Sequence, residues 1–175
     1  MLIDKEIRQW IIQEKMIQNY VDLDVQLQAN GFDLTLKNVM MFTDEWEPRI
    51  DFDNKNRLVS SARLIFPEAN EYHLEQGIYL FRANEIFKTP DNIVGWGMPR
   101  STLSRCGIVL NSAVLDAGYL GHLVFVVYIP RAIIFSKDAR FVQMIFFKLN
   151  EAPDRLYQGI YNEFKKTIKP KKYVM

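Results

Sequence analysis

The chain has 175 residues, 49% hydrophobic and 25% charged, enough for one domain with a real core and too few for two comfortable ones. Its 22 basic and 21 acidic residues leave a net charge of +1, so no global field draws it to nucleic acid or an anionic membrane, and an anion site has to be built locally. Cys106 is the single cysteine, which excludes an internal disulfide. The opening MLIDKEIRQW carries charges where a signal peptide needs an apolar run, and no apolar stretch reaches about 18 residues; a cytoplasmic chain without a membrane span is expected.

The first element is a short helix, with Asp4 as the expected N-cap and Ile7, Trp10 and Ile11 on one face. After Asn30-Gly31 the period changes. Phe32, Leu34 and Leu36 alternate with Asp33, Thr35 and Lys37, which predicts a half-buried strand. Further strands are expected over 57–65, 72–87, 93–98, 107–115, 122–129, 131–135 and 141–149. Turn residues separate them, among them Pro67-Glu68-Ala69-Asn70, Pro90-Asp91-Asn92, Ala117-Gly118 and Pro130. Many short strands so punctuated predict an all-β sandwich or barrel, in a single domain over 1–175. Residues 151–175 are polar and lysine-rich and are expected to form a mobile or partly helical tail.

Common catalytic signatures are absent. There is no phosphate loop of the Gly-x-x-x-x-Gly-Lys type and no Gly-x-Ser-x-Gly elbow. One cysteine and two distant histidines cannot assemble the zinc set of zinc-dependent nucleobase deaminases. Polar groups interrupt the strands at three places: Asn30 to Leu34, Pro99 to Arg105, and Val114 to Gly121. Arginine with serine supplies charge-assisted donors to a polyphosphate. Carboxylates orient a hydrolytic water or sit near a metal. Taken one at a time, these segments also read blandly: Asp116-Ala117-Gly118-Tyr119 as a hairpin turn, Pro99-Arg100-Ser101 as the start of a helix with Arg100 in solvent.

Their order and spacing carry more. LQANGFDLTL, MPRSTLSRCGI, AVLDAGYLGHLVFVV and RFVQMIFF resemble, in sequence order, four segments of the dUTPase/dCTP deaminase superfamily, and IDKEIRQWI resembles the start of its deaminase branch. The resemblance implies a distorted, jelly-roll-like β-barrel with a short N-terminal helix. It also implies a homotrimer whose sites lie between subunits and bind a deoxynucleoside triphosphate with Mg²⁺. On that resemblance Asp33 stands near the metal, through water. Arg100, Ser101 and Gln143 serve the phosphate end, Thr102 and Arg105 are further substrate-binding residues, and Tyr119 packs on the deoxyribose. Asn111 and Ala113 lie on the strand that reads the pyrimidine, Tyr157 contributes from the tail, and Asp116 holds the sugar 3′-hydroxyl and positions the attacking water.

Deaminase members carry a proton-shuttling glutamate ten residues after that aspartate, in a stretch like Gly-His-Ile-Thr-Leu-Glu-Leu. The corresponding stretch runs from Gly121 to Val127 and has Val126 in the glutamate's place. Valine moves no proton, and losing such a group removes roughly 10²–10⁴-fold of rate. With Asp116 retained, hydrolysis of dUTP to dUMP and pyrophosphate is expected, on a sequence otherwise close to the deaminase branch in Arg105 and in the lack of a glycine-rich tail. dCTP deamination and a nucleotide-binding regulator with little turnover are the alternatives.

Overall fold

In the computed structural model, which describes residues 1–162, the chain is mostly β: a strongly curled sheet with one short N-terminal helix. Helix α1 (Asp4–Glu14) buries Ile7 and Ile11. Its N-cap is Ile3 rather than Asp4. The Glu6 carboxylate, one turn in, reaches back and accepts from Ile3 N at 2.9 Å, the reciprocal half of a capping box, while among the described residues the Asp4 carboxylate accepts only from the adjacent Lys5 N. The strands β1 (Ile17–Gln18) and β2 (Leu27–Gln28) flank a one-turn helix α2 (Leu23–Gln26), capped by Asp22, which accepts from Asp24 N and Val25 N.

The long strand β3 (Gly31–Thr43) organises the sheet. Its second half pairs antiparallel with β4 (Ser61–Ile65) and β6 (Gly77–Lys88). Its first half pairs with β2 and with β12 (Arg140–Lys148). From β12 the sheet continues to β7 (Ile93–Pro99) and then β9 (Val114–Leu115). From β6 it continues to β10 (Leu120–Ile129) and then β8 (Val109–Asn111). A separate ribbon joins β5 (Glu71–Leu74) to β11 (Ile133–Ser136).

Two expected runs divide. The stretch 72–87 breaks at Glu75-Gln76 into β5 and β6, and 107–115 breaks at Ser112-Ala113 into β8 and β9. Each break is only two residues long and apolar residues resume close behind it, which hides it from a pattern reading.

The core is aromatic. Phe81 meets Phe135 and Phe141 edge-on at 5.1 and 5.7 Å, and Phe125 meets Phe141 at 5.6 Å. The first half of β3 is buried on both faces, not half-buried as its alternation predicts: Phe32, Leu34 and Leu36 face this core, while Asp33 and Thr35 are covered too. Residues 151–162 form no helix or strand, although Tyr157 N donates to Ala117 O at 2.9 Å. Lys165, Lys166, Lys169, Lys171 and Lys172 of the expected tail lie outside the described residues.

Candidate active site

The register of three strands builds a cleft. Gln143 on β12 stands opposite Asp33 on β3 and opposite Met98 on β7. Directly paired residues project to the same face of a sheet, so Asp33, Gln143 and Met98 form a row across it. A bulge between Arg140 and Val142 interrupts the β12–β3 ladder. Phe141 and Val142 are consequently both buried in the core, and Arg140 is turned to the side of Gln143, as an extra residue in a strand does. Gly31 permits the close strand approach beneath this row. A Cβ there would overlap the Met144 carbonyl oxygen and crowd Gln143 Cγ at 3.1 Å.

Pro99 ends β7, and the chain turns into a single helical turn α3 (Ser101–Arg105) with Arg100 as its N-cap residue. The segment does start a helix, but Arg100 is not in free solvent. Its Nε donates to Asp33 Oδ2 at 2.9 Å and its Nη1 to Arg140 O at 3.4 Å. Among the described residues no partner engages its Nη2, so the guanidinium is braced on two nitrogens and open on the third. Arg140 Nη1 lies 3.3 Å from the same Asp33 oxygen and donates to Val25 O at 2.8 Å. Burial raises the Asp33 carboxyl above its ordinary range, and the positive charges of Arg100 and Arg140 oppose that rise.

The resulting cleft is about 680 Å³ and is lined by Asp33, Arg100, Ser101, Arg105 and Gln143 together with Gln28, Met98 and Ser104. Two arginines, a serine pair and two carboxamides around one buried carboxylate make a donor-rich surface suited to phosphoryl oxygens. Five residues expected from the sequence thus converge. Thr102 does not join them: it is exposed on α3, and its carbonyl accepts from Cys106 N.

The remaining candidates form a second patch. Asp116 is exposed in the turn between β9 and β10. Tyr119, at the end of that turn, is buried; its hydroxyl donates to His122 O at 2.6 Å and its ring meets Tyr157 edge-on at 5.3 Å. Gly118 takes φ +78°, a conformation glycine adopts without penalty. Asn111 and Ala113 are exposed. Asn111 pairs with Val126 across β8 and β10, and Val126 pairs with Leu80 on its other side, so no carboxylate stands beside Val126 in the sheet.

Arg140 escaped the sequence reading although it begins a recognised segment. Strict alternation gives no sign that a bulge turns it toward Asp33. Gln26 and Glu85 escaped as well, because each stands among other polar residues in sequence and nothing marks it as the buried one.

Residues 1–149 match the family described as dCTP deaminase-like. A Methanosarcina mazei protein named as a probable deoxyuridine 5'-triphosphate nucleotidohydrolase is 41% identical over 149 residues, 83% of this chain and 86% of the relative. The deoxyuridine 5'-triphosphate nucleotidohydrolase of Methanocaldococcus jannaschii is 34% identical over 138 residues, covering 78% of this chain and 86% of the relative. Among solved structures, the 2'-deoxycytidine 5'-triphosphate deaminase of Agrobacterium tumefaciens superposes with a TM-score of 0.61 at 24% identity, over 83% of this chain and 46% of that one. Deaminase-like sequence thus coexists with relatives that carry the hydrolase name, and on these grounds the chain belongs to the dCTP deaminase-like family.

Proposed function

We propose that the chain hydrolyses dUTP to dUMP and pyrophosphate. The observation that carries this reading is Val126. It is flanked in the sheet by Leu80 and Asn111, so neither it nor its cross-strand neighbours supply the proton-shuttling carboxylate expected at this place in a deaminase, while Asp116 is retained in the turn before β10. The names of the archaeal relatives support the same substrate.

In this mechanism the triphosphate lies against Arg100, Ser101, Arg105 and Gln143. Asp116 accepts a hydrogen bond from water and draws its proton as the oxygen attacks the α-phosphorus. The bond from that phosphorus to the α–β bridging oxygen breaks, and pyrophosphate leaves with its developing charge met by the guanidinium groups. Tyr119 and Tyr157 flank the sugar. Asn111 and Ala113 present the strand that reads the uracil edge.

Among the described residues there is no group of three or more histidine, cysteine or acidic side chains able to cage a metal. Asp33 Oδ2 is already engaged by two arginines. That arrangement fits Mg²⁺ held chiefly by triphosphate oxygens and water, with Asp33 reached through water, which suits an ion that keeps much of its hydration. Bound there, the ion neutralises phosphate charge.

The cleft and the Asp116 turn are separate patches of one chain, and their union across copies completes the reading. Trp96, Met98 and Val114 are exposed on β7 and β9 at one end of the curled sheet, and Val109, Val124 and Tyr128 on β8 and β10 at its other end, so apolar side chains are exposed in groups and not singly. Such exposure suits assembly with further copies, as a homotrimer.

Incubation with dUTP or dCTP and Mg²⁺, with pyrophosphate and ammonia followed separately, tests the function. Pyrophosphate from dUTP without ammonia from dCTP is expected. Ammonia from dCTP at enzymatic rates overturns the reading, and binding without either product indicates a regulator. Asp116→Asn is expected to lower pyrophosphate release at least ~10²-fold while nucleotide binding stays measurable.

A further inference from the structure

Glu85 lies within β6, is fully buried, and takes no part in lining the cleft. Its carboxylate accepts from Thr35 N at 3.0 Å, from the Thr35 hydroxyl at 2.6 Å and from Gln26 Nε2 at 2.8 Å. All of these donors are neutral. A carboxylate buried among neutral donors is costly to keep, so what it organises is the informative question.

Its partner Gln26 is equally buried and is used at both ends. Gln26 Nε2 also donates to Asp33 O at 2.7 Å, and Gln26 Oε1 accepts from Val21 N at 2.7 Å and Asp22 N at 2.9 Å. These bonds pin both ends of α2 to the strand that carries Asp33. The residue before Gln26 is Val25, whose carbonyl receives Arg140 Nη1, the same nitrogen that faces Asp33. A continuous path therefore runs from Glu85 through Gln26 and α2 to Arg140, and from there to Asp33 and Arg100.

We propose that Glu85 is a positioning residue for the phosphate end of the cleft, acting through Gln26 to hold α2 where the Val25 carbonyl fixes Arg140 on Asp33. Arg140 then shares Asp33 with Arg100, and Arg100, braced through Nε and Nη1, has its remaining nitrogen to offer an anion. The inference rests on the reading of this cleft as a phosphate site, but not on the identity of the base.

Inorganic tripolyphosphate serves as probe, because its binding needs neither turnover nor a nucleoside. Its affinity is measured by calorimetry on the full chain, on Glu85→Gln, on Arg140→Ala and on the double variant. Glutamine matches the size of Glu85 but presents a donor where Thr35 and Gln26 also donate. Glu85→Gln is expected to weaken binding by about tenfold, and the double variant to bind no more weakly than Arg140→Ala alone, because both changes cut one path. Unchanged affinity in a folded Glu85→Gln, or effects that multiply in the double variant, overturns the proposal. A merely structural role would lower the Tm and leave this coupling absent. If Glu85→Gln does not fold, Gln26→Met interrupts the same path and enters the same cycle with the same two outcomes. Should dUTP prove not to be the substrate while the coupling holds, the positioning role stands and only the functional reading falls.

Discussion

Arg100 shows how much of this site depends on guanidinium geometry rather than on charge. One nitrogen is committed to Asp33 and another to the Arg140 carbonyl, and only a planar fork divides its donors in this way. Arg100→Lys keeps the charge but loses the brace. A rise in KM for dUTP of about tenfold or more is expected, and steady-state kinetics measures it. Glu85 yields a different kind of prediction. Burial raises its carboxyl above the ordinary range, more than the hydrogen bonds from Thr35 and Gln26 lower it. A carboxyl so raised binds its proton more tightly in the folded chain. The stability this contributes is present below the unfolded pKa and is lost as pH rises through the folded one. Glu85→Gln removes that dependence. The Tm advantage of the parent chain over the variant is therefore expected to shrink from mildly acidic to neutral pH, and a difference constant across that range contradicts the assignment.

Among the elements, the contact of β3 with β12 is where substitutions tell most about how the cleft is made. Gly31→Ala places a Cβ against the backbone of Met144 and the side chain of Gln143. Backbone cannot yield as a flexible side chain can, so a loss of about 1–3 kcal/mol is expected in denaturant unfolding, together with weaker phosphate binding as Gln143 shifts. The strands themselves were legible in sequence, since their apolar alternation is strong and turn residues mark most ends. Asp33, Arg100, Ser101, Arg105 and Gln143 were legible as well, because each lies in a recognisable segment and the register of β3, β12 and β7 brings these segments together. Arg140 was not, for its direction is set by a bulge, and a bulge adds a residue without a compositional mark. Glu85 and Gln26 were not, because a buried hydrogen-bonded pair 59 positions apart leaves no local pattern. Asp4 was misread as a cap because the N-cap position falls one residue earlier, on Ile3, whose N–H donates to Glu6.

At the scale of the whole molecule, the separation of the cleft from the Asp116 turn makes a prediction that no single chain satisfies. If each site joins the cleft of one copy to the turn of the next, Asp116→Asn and Arg100→Ala are each inactive alone yet complement one another. Mixing the two variants, with unfolding and refolding to exchange subunits, is expected to restore about a quarter of the sites by random pairing in a closed ring. Pyrophosphate release measures it, and a mixture as inactive as its components shows that both halves belong to the same copy.

The bulge at Phe141 also bears on inheritance. Side-chain direction alternates with period two, so Arg140 and Gln143, three positions apart, share a face only because an extra residue lies between them. That residue is Phe141, whose ring meets Phe81 and Phe125 in the core. Deletion of Phe141 leaves Arg140 two positions from Gln143, on the same face by ordinary alternation, but takes the ring out of the interior. The core, and not the cleft, therefore holds the extra residue in place. In descendants of this chain, loss of Phe141 is expected to be selected against for the packing it removes rather than for any turning of Arg140.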